Sequence, residues 1–245
     1  MLICHPYEFI FIKPVKAAGT SVECFLEPLC HDQNEEIHEY GPEKIYANGI
    51  VGYRGPSKGD ATYWNHMPSS QIQCLHPDLF KSYHKISIVR DPYQKAISLF
   101  LWLGPLTYVQ AQEMAVSEPG RLHALFLLFL RSQPGIWALL TDYPRLLIQN
   151  KLIIDYILRY EQLSSDLSDL VKHLCLPLSL SELGYFKSSG RGNEAHKLQQ
   201  YFSGEALELV NRVFELYFDL FGYYKYEHIS DLLISSNRIT RFSVP

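Results

Sequence analysis

Residues 8–26 read EFIFIKPVKAAGTSVECFL. The apolar run EFIFI has the length and composition of a buried strand. It enters a loop carrying Lys13, Lys16 and Gly19, and an apolar helical segment follows from Thr20 to a stop near Pro28. In a strand–loop–helix unit of this kind, Gly19 lets the backbone approach an anion closely. The N–H groups of Ala18, Gly19, Thr20 and Ser21 fall at a helix start, where unpaired donors and the helix dipole favour negative charge. Lys16 adds a full positive charge and the two hydroxyls add donors. The same residues also suit an ordinary strand–turn–helix with capping hydroxyls. A nucleoside triphosphate loop of the Walker type is disfavoured, because it needs lysine directly after the last glycine. Here Lys16 precedes Gly19 by three positions, and no acidic magnesium ligand ends a strand convincingly.

The rest of the chain repeats the strand–helix alternation. HKISIV (84–89) is a second strong strand, ending at Arg90-Asp91-Pro92 before the helical YQKAISLFLWL. LIIDYILRY (152–160) is a third, followed by a helical SDLSDLVKHLCL. Shorter strands are expected at 50–53 and 61–64, helices from Ser69 and over 121–131, and loop over 187–193. One long amphipathic helix is expected over 203–223, with Ser203 as its cap and Gly222 as its stop. The fold class expected is α/β: a single domain over 1–245, with a central parallel sheet flanked by helices. In such sheets ligands bind beyond the carboxyl ends of the strands, where the loop at 13–19, Arg90 and Tyr160 all fall.

Composition narrows the function. The chain has 245 residues, 47% hydrophobic and 20% charged, with a net charge of −4, which argues against a broad nucleic-acid surface. The five cysteines are scattered and odd in number, which points to a reducing compartment and gives no zinc pattern. MLICHPYEFIFI reads as a strand and not a signal peptide, and LHALFLLFLR (122–131) is too short to span a bilayer. With Met1 as the true start, a cytoplasmic protein with no transmembrane segment is expected.

The motif K-x-x-G-T-S after an early strand resembles the 5′-phosphosulfate loop of sulfotransferases that use 3′-phosphoadenosine 5′-phosphosulfate (PAPS). The family form has proline directly before the lysine; here Val15 separates Pro14 from Lys16. ISIVRDPYQKAISLF resembles the family's 3′-phosphate segment, matching at Arg90, Asp91, Pro92 and Ser98, with Lys95 where arginine is common. The physics agrees: six helical residues rise about 9 Å, so Arg90 and Ser98 can share one phosphate only if the chain turns before the helix begins. Pro92 suits that turn, and arginine offers a planar fork to a phosphate. Arg90 paired with a nearby acid at a helix start is the plainer alternative.

WNHMPSSQI places His66 in an H-x-P segment, twenty-four residues before Arg90. It is similar to the segment that holds the catalytic base of cytosolic sulfotransferases. An acceptor hydroxyl must lose a proton as it attacks sulfur, and histidine titrates in the right range. Glu23 and Glu39 are weaker candidates. DYILRYEQL resembles the family's later strand, which implies that Tyr160 contacts the nucleotide. FKSSGRGNEAHKLQQYFS resembles the loop crossing the 3′-phosphate and adenine, which implies roles for Ser188, Arg191 and Gly192. The resemblance implies a P-loop-NTPase-like sulfotransferase fold, PAPS as donor, no metal, and an acceptor hydroxyl, with a sugar as first choice. A phenol, tyrosine or small alcohol acceptor stays open, as do a nucleotide-dependent kinase and a non-catalytic binding module.

Overall fold

A computed structural model describes residues 1–33, 35–132, 134–184 and 197–234. Along the chain run β1 (Leu2–Cys4), β2 (Phe9–Phe11), α1 (Gly19–Leu26), β3 (Lys44–Ile45), β4 (Gly49–Val51), α2 (Ser69–Leu75), α3 (Pro77–Ser82) and β5 (His84–Val89). Then come α4 (Pro92–Leu103), α5 (Tyr108–Ser117), α6 (Pro119–Arg131), α7 (Pro134–Thr141), α8 (Tyr143–Leu146), β6 (Leu147–Ile148), β7 (Lys151–Leu152), β8 (Tyr156–Arg159) and α9 (Leu163–His173). The described carboxyl-terminal stretch adds α10 (Gly204–Val213), α11 (Glu215–Phe221) and α12 (Asp231–Ile234). The chain divides into two compact units. The first takes Met1–Val89 and the segment that begins at Asp142; the second takes Arg90–Thr141 and the described residues from Lys197 onward.

The first unit is an α/β layer built on a six-stranded sheet of order β3-β4-β1-β2-β5-β8. The sheet is mixed, which corrects the expected parallel one. Only the β2–β5 and β5–β8 pairs are parallel; β1 is antiparallel to β2 and β4, and β3 to β4. Connection length is the reason for two of these antiparallel pairs. The stretch expected as one amino-terminal strand folds back at His5–Glu8, with Glu8 N–H bonded to the His5 carbonyl at 3.3 Å. Parallel neighbours need a crossover of a dozen residues or more, so so short a link can only make a hairpin. The same holds for β3 and β4, joined by Tyr46–Asn48. The β2–β5 and β5–β8 links are long, and those strands are parallel.

Three further expectations change. Residues 61–64 make no strand and touch the sheet region through a single bridge between Tyr53 and Trp64. The strand expected over 152–160 splits, because Asp155 interrupts it: its carboxylate takes the Lys85 N–H (2.8 Å) and pairs with the Lys85 ammonium (2.6 Å). Lys151–Leu152 turns into a small hairpin with β6, and only Tyr156–Arg159 joins the sheet. The helix expected over 203–223 breaks at Phe214 into α10 and α11, while its ends fall as expected. The Ser203 hydroxyl caps Ala206 N–H, and Gly222 closes α11 in the left-handed region at φ 60°.

The core of this unit lies between the sheet, α1 and α9. Phe9, Phe11, Val22, Phe25, Leu26, Ile86, Ile88, Leu158, Leu167 and Leu170 form one buried cluster. The second unit is helical, and its core is aromatic. The Tyr93 ring packs against Phe202, Phe218 and Tyr226, and its hydroxyl meets both Asn211 Oδ1 (2.5 Å) and the Tyr226 N–H (2.9 Å). The apolar run 122–131 lies in α6, burying Leu122, Phe126, Phe129 and Leu130 on one face. Among the described residues no single helix is long and apolar enough to cross a membrane. Truncating Leu170 to alanine is expected to lower stability by about 2–5 kcal/mol, read as a shift in the urea midpoint.

Candidate functional site

The loop between β2 and α1 is held in a shape that the sequence alone does not reveal. Its first residue, Lys13, turns inward. The Lys13 ammonium is 2% exposed and donates to Glu23 Oε2 (2.6 Å) and Asn65 Oδ1 (3.0 Å). It is thus committed to the interior, while Lys16, half-buried, remains at the loop. Burial alone would push the Glu23 carboxyl up. The charges of Lys13, the Met1 amino group and Arg54 outweigh it and hold its pKa at about 2. Its two oxygens are committed to the Met1 amino group and to Lys13, which makes Glu23 part of a buried ion-pair layer.

Lys16 (φ 55°) and Ala18 (φ 59°) both adopt the left-handed region, so the loop curls back before α1 begins. Gly19 sits at the tightest point: a Cβ there would meet Lys13 Cγ at 2.8 Å and the Pro14 carbonyl at 3.0 Å. No side chain caps α1, and Thr20 and Ser21 are buried in its first turn. An uncapped helix start following a curled loop with a lysine can take an anion through its backbone donors.

Two further elements close on this loop from distant parts of the sequence. The Asp142 carboxylate, fully buried, accepts the Val15 N–H at 3.1 and 3.2 Å and pairs with Arg145 Nη1 at 3.0 Å. Arg145 Nε in turn donates to the His66 carbonyl at 2.9 Å, and its own carbonyl accepts the Ser69 hydroxyl. The His66 ring faces the loop, with Nδ1 3.2 Å from the Lys13 carbonyl. A carbonyl can only accept, so Nδ1 carries the proton of the neutral ring and Nε2 keeps its lone pair.

His66 lies in a turn at φ 58°, not at the strand end that its sequence position suggested. Burial first, then the charges of Lys13 and Arg145, lower its pKa to about 3, against a weaker opposing effect of its bond to the Lys13 carbonyl. The ring is therefore neutral near pH 7.

The structure thus brings Lys16, Ala18, Gly19, Thr20, Ser21 and His66 together within the first unit. Tyr160 belongs to the same unit: it follows β8, opens a short 3-10 turn over Tyr160–Gln162 and is half-buried. Its neighbour Arg159 is bound to Asp166 through Nε (2.9 Å) and Nη2 (2.6 Å), a structural pair. Arg90 opens the second unit, and its N–H donates to the Tyr217 hydroxyl at 3.2 Å. Asp91 caps α4 by accepting the Gln94 N–H (2.8 Å), Pro92 is the first helical residue, and Ser98 is half-buried on that helix. Lys95 is buried beside the Tyr217 ring, 5.6 Å from its centroid. Ser188, Arg191 and Gly192 lie outside the described residues.

Sequence reasoning missed Asp142, Arg145 and Asn65. The only local signal was an acid three residues before an arginine at a proline-bearing helix start, 141-TDYPR-145. That spacing predicts an i,i+3 pair, and nothing in it names a partner 127 residues away.

The chain matches no family model, no curated protein and no solved structure.

Two measurements check this geometry. Gly19→Ala is expected to cost about 1–3 kcal/mol by overpacking against Lys13 and Pro14, seen as a lower melting temperature. The second is pH dependence. The folded chain binds the His66 proton less tightly than the unfolded chain, whose histidine titrates near 6.5. Its contribution to stability is therefore complete above pH 6.5 and declines as pH falls toward about 3, by at most about 1.4 kcal/mol per pH unit. In urea titrations between pH 7 and 4.5, His66→Asn is expected to give a flatter slope than the wild type; parallel slopes would refute the assignment.

Proposed function

We propose that this chain is a PAPS-dependent sulfotransferase with a P-loop-like fold, acting on an acceptor hydroxyl, with a carbohydrate as first choice. One observation carries the reading. The loop that presents Lys16 before an uncapped helix also receives the ring of His66, whose Nδ1 is turned to the Lys13 carbonyl and whose Nε2 keeps its lone pair. An anion cradle and a proton acceptor on the same loop are what sulfuryl transfer to a hydroxyl requires. Three neighbouring parallel strands, β2, β5 and β8, support the fold assignment.

In the proposed reaction the acceptor oxygen attacks sulfur in line. The sulfur–oxygen bond to the 5′-phosphate breaks, and adenosine 3′,5′-bisphosphate leaves with the electron pair. Negative charge grows on the bridging oxygen, where Lys16 and the amides of Gly19, Thr20 and Ser21 oppose it. The acceptor proton passes to His66 Nε2. In the ligand-free chain burial, Lys13 and Arg145 make this imidazole a weak base. A bound polyanion counters those two charges and strengthens it, so the base gains power when the donor is in place. Arg90 and Ser98 are assigned to the 3′-phosphate. Their support is the motif together with the Asp91 cap and the Pro92 start, which give the chain the turn that a shared phosphate needs.

Adenosine 3′,5′-bisphosphate is expected to stabilise the protein by about 2.7 kcal/mol at a hundredfold excess over its dissociation constant, read as a thermal shift. No shift at millimolar ligand, or a stronger response to ATP with magnesium, would overturn the proposal. In transfer from labelled PAPS to a panel of sugar, phenol and alcohol acceptors, Lys16→Ala is expected to abolish the signal. His66→Ala is expected to cost about 10²–10⁴-fold.

A further inference from the structure

Four residues bearing side chains sit in the left-handed backbone region around one loop: Lys16, Ala18, His66 and Asp142, out of eight such non-glycine residues among the described ones. Each costs about 1–2 kcal/mol relative to an ordinary conformation, so something must hold them there. The hydrogen bonds form a closed circuit. Lys13 carbonyl faces His66 Nδ1; the His66 carbonyl accepts Arg145 Nε; Arg145 Nη1 pairs with Asp142; and the Asp142 carboxylate accepts the Val15 N–H, two residues along from Lys13. The circuit crosses three segments far apart in sequence and includes both ends of the loop's Lys13–Val15 stretch. Asp142 is its one anion, bonded to the loop on one side and to the arginine on the other.

We propose that Asp142, acting through Arg145, is the positioning residue of the site: it fixes the curl of the loop that presents Lys16 and the ring orientation that leaves His66 Nε2 as the proton acceptor. Asp142 does not itself touch the reacting atoms in this assignment. Its bidentate grip on the Val15 N–H sets where the chain turns toward Lys16. Its pairing with Arg145 aims the guanidinium at the His66 carbonyl, and so fixes the backbone from which the imidazole projects. The proposal rests on the sulfotransfer reading for its purpose, while the circuit itself can be tested without it.

The test uses the full chain, with Asp142→Asn and Arg145→Lys as variants and Leu170→Ala as a control that is destabilised in the core, away from the circuit. Two quantities are measured: the dissociation constant for adenosine 3′,5′-bisphosphate by calorimetry, and the His66 ring nitrogens by 15N NMR at pH 7. The wild type is expected to show a proton on Nδ1 and none on Nε2. Asp142→Asn is expected to weaken bisphosphate binding roughly ten- to hundredfold, the effect of losing a hydrogen bond to a charged group. It is also expected to move the His66 signals toward the mixed tautomers of an exposed imidazole. Arg145→Lys keeps the charge but loses the fork, and is expected to move the His66 signals with a smaller effect on binding.

The proposal is overturned if Asp142→Asn keeps its affinity within twofold and leaves His66 unchanged. It is equally overturned if Leu170→Ala shows the same changes, since they would then report general loosening. Should Asp142→Asn fail to fold, Arg145→Lys carries the same test, and unmoved His66 signals in it overturn the proposal. A wild type that does not bind the bisphosphate removes the sulfotransfer reading alone. The circuit then stands or falls on whether the variants displace the His66 signals while Leu170→Ala does not.

Discussion

The buried pair of Lys13 and Glu23 is the contact on which the arrangement of the first unit depends. Both side chains are almost wholly withdrawn from solvent, and the Lys13 ammonium also reaches Asn65. Desolvating two charges costs much of what their attraction returns, so a pair like this says little for stability. It says more about geometry. It pins the residue leaving β2 to the middle of α1 and to the residue before His66, and the loop between has little freedom left. Around it, Arg54 joins Glu27 and comes within 4.0 Å of Glu23, while His31 meets Glu27 at 3.2 Å. An ionic layer thus lies beneath the loop, and its lysine is the one of the two that a motif search would not choose.

The sheet divides the labour between its two directions. Its antiparallel half, β3-β4-β1, carries none of the candidate residues. Its parallel half ends in the loop at Lys13, in Val89 ahead of Arg90, and in Arg159 ahead of Tyr160. Parallel neighbours need long connections, and the β2–β5 and β5–β8 connections hold His66 and Asp142.

Much of this was legible in the residues. β2 and β5 are apolar runs of the right length. Pro92, Ser203 and Gly222 punctuate helices where their chemistry says they should. What was not legible depends on partners chosen in three dimensions. Nothing local separates Lys13, which turns in, from Lys16, which stays at the loop. Asp155 looks like any strand residue until Lys85 claims it. Periodicity runs straight through Phe214, where the backbone does not. The Asp142 carboxylate finds the Val15 amide across most of the chain, a contact that leaves no pattern in either segment.

The left-handed residues around the loop set a limit on how this protein can be improved. Glycine would fit the backbone at Lys16, Ala18, His66 and Asp142 with less strain, and a search for thermal stability alone would rank those positions early. At three of the four, the side chain is a member of the proposed site or its support. Ala18 is the fourth, and its single methyl group narrows the angles open to the loop just before the helix. Lower backbone strain and a fixed loop therefore make opposite demands at the same four positions, all of which carry side chains in this protein.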